Sequence, residues 1–209
     1  MRLFAALLPP PAAADELAAT LGPLHRLPGA RDLRWTAPDS WHYTLAFLGE
    51  VPDTLRPDLD ERLARAARRH EPCTLRVSGG GRFGDRALWA GAEGDVRAAA
   101  ALAAAVRAAA RRAGAPADEE HGFRAHLTLA RTSRGAPVDL RPFAAALGGF
   151  RGARWTAADL SLVASRLPRS GVPGERPYYT VVASWPLGGP GSRSGPAAPP
   201  GRGTAGGAG

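Results

Sequence analysis

Two short runs constrain this chain more than anything else in it. One is Trp41-His42-Tyr43-Thr44-Leu45-Ala46-Phe47-Leu48-Gly49; the other is Arg124-Ala125-His126-Leu127-Thr128-Leu129-Ala130-Arg131. Both contain His-x-Thr-Leu, and their histidines lie 84 residues apart (126 − 42), a little under half of the part that reads as ordered. One short pattern occurring twice, each time inside a strand-like run, points to an internal duplication.

Strand geometry says what the pattern is for. Side chains alternate between the faces of a strand, so residues i and i+2 point the same way. His42 and Thr44 therefore share a face, and so do His126 and Thr128. A pseudo-two-fold axis that sets the two strands side by side would line one groove with two imidazoles and two hydroxyls. That set suits a phosphodiester: one histidine takes a proton from water while the other gives one to the leaving oxygen. The hydroxyls can bond the non-bridging phosphate oxygens. A lone His-x-Thr would carry little meaning; the matched pair is what points to chemistry.

The rest of the pattern reads as two similar halves. One predicts strand 2–8, helix 11–21, strand 42–48, helix 53–70 and strand 73–78. The other predicts strand 87–91, helix 95–113, strand 126–131, helix 137–147 and strand 160–165, and a last strand covers 178–185. Leu55, Leu59 and Leu63 form a stripe at helical spacing, and Leu102 and Val106 form the inner face of the Ala-rich helix, with Arg107 and Arg111 outside. Gly79-Gly80-Gly81 reads as a tight turn; it lacks the Gly-Lys-Ser/Thr of a phosphate loop, and the chain has no lysine. The expected class is α+β, with two antiparallel sheets flanking a groove and helices outside. Residues 1–187 are expected to form one bilobal domain. Residues 188–209, all Gly, Pro, Ser, Ala, Thr and Arg, cannot bury a core and are expected to form a disordered tail.

Here the residues resemble a family. The twin motifs are similar to those of the two-histidine (2H) phosphoesterases, and within them of the bacterial RNA 2′,3′-cyclic phosphodiesterases, also called 2′-5′ RNA ligases. The opening Arg2-Leu-Phe-Ala-Ala-Leu-Leu-Pro9, Arg82-Phe-Gly84 with Leu88-Trp89-Ala-Gly91, Ser165-Arg-Leu, and Tyr178-Tyr179 through Leu187 fall in the matching order. The resemblance implies a LigT-like bilobal fold and hydrolysis of RNA 2′,3′-cyclic phosphate ends to 2′-phosphomonoesters, without cofactor or metal. It implies His42 and His126 as the acid–base pair and Thr44 and Thr128 as phosphate ligands. Arg131 and Phe47 become candidate substrate contacts, although each lies five residues past its histidine, on the opposite face of a regular strand. His126 is assigned as base and His42 as acid, and pseudo-symmetry leaves the two interchangeable.

Composition bounds the remaining classes. Net charge is +8, with every basic residue an arginine, which favours polyanions such as RNA, although an Ala/Gly/Pro/Arg-rich chain acquires arginine by compositional bias as well. The single cysteine, Cys73, excludes an intrachain disulfide and reads as a half-buried strand residue. His121 and His126 fit no zinc spacing. No apolar run approaches the ~20 residues of a membrane span, and residues 2–8 read as a strand rather than a leader, so a cytoplasmic monomer is expected. ATP-independent 2′-5′ ligation and hydrolysis of small cyclic nucleotides use the same residues and stay open; a non-catalytic RNA-binding module has no use for a paired acid and base.

Overall fold

Residues 3–7 are buried without alternation: Leu3, Ala5 and Leu7 enter the main core, while Phe4 and Ala6 pack on the other face with Val163. A strand buried on both faces must be central, and this one is. The computed structural model describes residues 1–117, 123–133, 138–166 and 178–189. Their order is β1 (Arg2–Leu7), α1 (Pro11–Leu21), β2 (Leu33–Trp35), β3 (Tyr43–Glu50), α2 (Arg56–Arg68), β4 (Cys73–Phe83), β5 (Ala87–Gly94), α3 (Val96–Arg112), β6 (His126–Thr132), α4 (Arg141–Leu147), β7 (Trp155–Ala157), β8 (Asp159–Arg166) and β9 (Tyr178–Pro186). Proline in the first turn starts α1, α2 and α4, where its missing N–H costs nothing.

Two antiparallel sheets form. The first has order β3-β1-β8-β9 and the second β2-β6-β5-β4-β7. The expected class is therefore observed, but the halves are not the lobes. β4, which follows α2 in the first half, pairs with β5 in the second sheet; β8, from the second half, pairs with β1 in the first. The crossing is reciprocal and so preserves the pseudo-two-fold. The helices cross as well: α2 and α3 pack on the first sheet through β9 and β3, and α1 and α4 on the second through β4. One continuous core runs from Leu3 to Leu187, and the Tyr43 hydroxyl donates across the two sheets to the Gly91 carbonyl at 3.2 Å.

Several expectations need correction. The three glycines do not turn; they lie inside β4, which runs on to Phe83. Gly80 and Gly81 face opposite sides, and a Cβ on Gly80 would stand 2.4 Å from Leu147 Cβ of α4, one on Gly81 2.2 Å from the Trp89 ring. Gly80 and Gly81 are glycine because a helix presses on one face of the strand and an indole on the other, while Gly79 takes a positive φ of 61° at the β4 bulge. α2 starts at Arg56 after a 3-10 turn over Asp53–Leu55, and α4 starts at Arg141 rather than at 137, a position outside the described residues. β2 and β7, three residues each, carried no periodic signal. Cys73 is fully buried and its thiol is pushed up by that burial, which suits packing rather than nucleophilic chemistry. His121 and the tail from 190 lie outside the described residues; Leu187 is buried and the Gly188 N–H donates to the carbonyls of Ala67 and His70. No helix among the described residues is long and apolar enough to cross a membrane.

The packing at Gly80 is testable by urea denaturation. Gly80→Ala should cost ~1–3 kcal/mol by overpacking against Leu147. Gly149→Ala, whose Cβ would meet nothing within 4 Å, should stay within about 0.5 kcal/mol of the parent.

Candidate functional site

The site forms where β3 and β6 present the same face to a shared groove. His42 immediately precedes β3 and His126 opens β6, and both are half-buried. Each ring is held in the same way. His42 Nδ1 lies 2.8 Å from the carbonyl of Ser40, and His126 Nδ1 lies 2.8 Å from the carbonyl of Arg124, two residues back in both cases. A carbonyl only accepts, so each Nδ1 carries the hydrogen. In the neutral ring that leaves the Nε2 lone pair as the free position, and on protonation Nε2–H becomes the donor.

Thr44 and Thr128 follow on the histidine faces, half-buried as alternation requires. The parity objection to Phe47 and Arg131 is removed by two bulges. On β3, Ala5 pairs with Ala46 and Ala6 with Thr44, which leaves Leu45 as an extra residue. On β6, Trp89 pairs with Thr128 and Leu88 with Ala130, which leaves Leu129 extra. An extra residue flips the alternation beyond it. Phe47 therefore returns to the groove face opposite Phe4, and is 52% exposed. Arg131 returns to the face of His126, exposed and close enough for its charge to act on that ring.

The carbonyl of each bulged residue finds a donor outside its ladder. Thr36 N–H donates to Leu129 O at 2.8 Å, and Arg107 Nη1 to Leu45 O at 3.4 Å. Arg107 therefore corrects the outward placement expected of it: it is half-buried and reaches β3 from α3.

Aromatic rings wall both histidines. Phe4 lies 4.5 Å from the His42 ring, and Tyr179 meets it edge-on at 5.2 Å. Phe83 meets His126 edge-on at 4.9 Å, with Trp89 at 6.5 Å. The Arg124 guanidinium sits over Trp89 at 5.1 Å and Phe83 at 5.6 Å. Sequence reasoning gave none of Phe4, Phe83, Trp89, Arg124 or Tyr179 a role here. They come from five different segments, and only the pairing register shows that they face the histidines.

This packing sets the charge state. Burial holds His42 down at about 4, against the Ser40 hydrogen bond that raises it, and the charge of His126 lowers it further. Burial also lowers His126, opposed by the Arg124 carbonyl, and the charges of Arg124 and Arg131 add to the lowering. Each histidine is thus neutral at pH 7 in the unliganded groove, and the charge of His126 reaches the His42 ring. A phosphate anion bound between them would raise both.

The family model described as LigT like Phosphoesterase matches residues 7–89 and 92–173, one His-x-Thr-Leu motif in each stretch. The chain belongs to the LigT-like phosphoesterases. Within the family, an RNA 2′,3′-cyclic phosphodiesterase of Geobacillus stearothermophilus is 30% identical over 170 residues, covering 77% of this chain and 50% of that protein. The chain thus spans about half the length of the curated relative it matches. E. coli LigT complexed with 3′-AMP superposes with TM-score 0.70 at 27% identity, over 89% of this chain and 97% of that one. The protein TT0787 of Thermus thermophilus gives TM-score 0.67 at 30% identity, over 91% and 100%. This LigT-like phosphoesterase has two antiparallel sheets backed by helices.

The depressed histidine has a stability consequence. In the unfolded chain His42 takes up its proton near 6.5, and when folded only near 4. Between those values the unfolded state binds more protons, so this contribution is complete above pH 6.5 and is lost as the pH falls toward 4. NMR titration of His42 should give a midpoint near 4 that rises on adding inorganic phosphate. The stability of His42→Gln should fall less steeply over that interval.

Proposed function

We propose that this chain hydrolyses 2′,3′-cyclic phosphodiester ends of RNA to 2′-phosphomonoesters by paired-histidine acid–base catalysis. The observation that carries this reading is the duplicated ring geometry: two histidines, each held by an Nδ1–H to the carbonyl two residues back, leave two Nε2 positions on one groove. The name of the Geobacillus relative and the 3′-AMP complex of E. coli LigT support the choice of an RNA or nucleotide substrate.

In the proposed step the cyclic phosphate sits between the rings. His126 Nε2 takes a proton from water, whose oxygen attacks phosphorus. The bond from phosphorus to the ribose 3′ oxygen breaks, and His42 Nε2–H delivers its proton there. A 2′-phosphate and a 3′-hydroxyl result, and proton exchange with solvent restores the two rings. Thr44, Thr128 and Arg131 hold the non-bridging oxygens, whose charge grows in the transition state, while Phe47 offers its exposed ring to a base. The two histidines supply both proton transfers, so the scheme calls for no metal.

His42→Ala and His126→Ala should each lower kcat by ~10²–10⁴-fold on a cyclic-phosphate oligonucleotide in EDTA, with unchanged melting. Normal turnover in either variant would remove the scheme. A substrate with sulfur at the bridging 3′ position assigns the roles. Its thiolate leaves without a proton, so it should rescue the variant lacking the acid, expected to be His42→Ala, and not the other.

The pH profile gives a further check. Catalysis needs one ring protonated and one neutral, and kcat/KM reports the free protein. With His42 at about 4 and His126 below its ordinary 6.5, kcat/KM should peak in mildly acid solution and decline as pH rises above 6.5. A plateau extending to about pH 9 would contradict it.

A further inference from the structure

Beyond His126 the groove face continues as a trough of about 490 Å³, within the size range of nucleotide-sized sites. Its floor follows from register. Gly91 pairs directly with His126, and Trp89 and Glu93, two residues to either side on β5, share that face. Gly91 has no side chain to fill the space, and a Cβ there would stand 2.9 Å from the Ser78 carbonyl. The near wall is Trp89 with Arg124 stacked over it, and Phe123 lines the same space.

The far end is polar and already organised. Glu93 accepts from Ser78 Oγ at 2.9 Å and pairs with Arg151 Nε at 3.2 Å. Arg76 Nε approaches its other carboxylate oxygen at 3.6 Å. Arg151 Nη1 also donates to Ser78 Oγ at 3.0 Å. Arg151 and Glu93 nevertheless remain 51% and 42% exposed, so both an acceptor edge and a donor edge still face the trough. An indole with a guanidinium at one end, a side-chain-free floor, and a fixed donor–acceptor pair at the other end match a nucleobase and the phosphate that precedes it.

We propose that this trough is a second nucleoside subsite, which holds the penultimate nucleotide of the RNA while the terminal cyclic phosphate lies between the histidines. The inference rests on the proposed function for its substrate and adds a preference. The chain acts on oligonucleotide ends in preference to cyclic mononucleotides, and that preference resides in Arg151 and Glu93.

The test compares a 2′,3′-cyclic mononucleotide with the matching dinucleotide. Wild-type kcat/KM should be at least tenfold higher for the dinucleotide. Arg151→Ala should remove most of that advantage through KM and leave mononucleotide turnover unchanged, with Arg151→Lys intermediate. Glu93→Gln separates recognition from simple charge: removing a negative group should tighten binding of an anion held only by charge, and weaken it if the carboxylate reads a base. Equal rates on the two substrates, or an Arg151→Ala variant that loses both equally, would overturn the subsite. Binding of a dinucleotide ending in a 2′-phosphomonoester, followed by tryptophan fluorescence, needs no turnover. A several-fold weaker Kd in Arg151→Ala, with mononucleotide binding unchanged, supports the subsite even if hydrolysis is absent. Equal affinity of the wild type for the mononucleotide and dinucleotide products refutes it even if hydrolysis is found.

Discussion

Strand edges must be paired, and in this fold each half closes an edge of the other. Without β8, β1 would expose a row of unpaired N–H and C=O groups; without β4, β5 would do the same. The two crossings complete both sheets at once, and two of the helices cross with them. Neither half can therefore bury its core alone. The groove between the sheets follows from this exchange, because the strands that carry the histidines are braced from behind by elements of both halves. The Tyr43–Gly91 bond sits at this junction, beside one histidine in sequence and opposite the other in register.

Given that frame, one extra residue in each motif strand builds the rest of the site. A regular strand would offer the groove only His42 and Thr44, or His126 and Thr128. The bulges at Leu45 and Leu129 bring Phe47 and Arg131 to the same face. A bulge leaves backbone groups without ladder partners, and here Arg107 and the Thr36 N–H supply donors to the two carbonyls. Arg107 thus joins the packing of α3 to the geometry of the groove, a role quite unlike that of a solvated helix arginine.

The two walls are similar in plan and different in character. On the His42 side the ring is enclosed by Phe4 and Tyr179 and is held strongly neutral. On the His126 side the aromatic rings carry Arg124, Arg131 lies on the same face, and the surface runs on over Gly91 to Glu93 and Arg151. Duplication thus made two histidines held in the same way. Divergence around them gave one an aromatic enclosure and the other a long polar approach.

The two histidine strands and most of the elements are legible in the order of residues alone. Two His-x-Thr-Leu strands, proline-started helices and a leucine stripe are local patterns, and local patterns are written in i+2 and i+4 spacing. That was sufficient to set His42 with Thr44 and His126 with Thr128 on one face each, and for the α+β class. Tertiary structure decided what depends on pairing. Which sheet receives β4 and β8, that Gly80 and Gly81 lie under a helix and an indole, that Leu45 and Leu129 are supernumerary, and which aromatic rings meet which histidine are all properties of register. Register arises between segments distant along the chain, so no window of the sequence contains it.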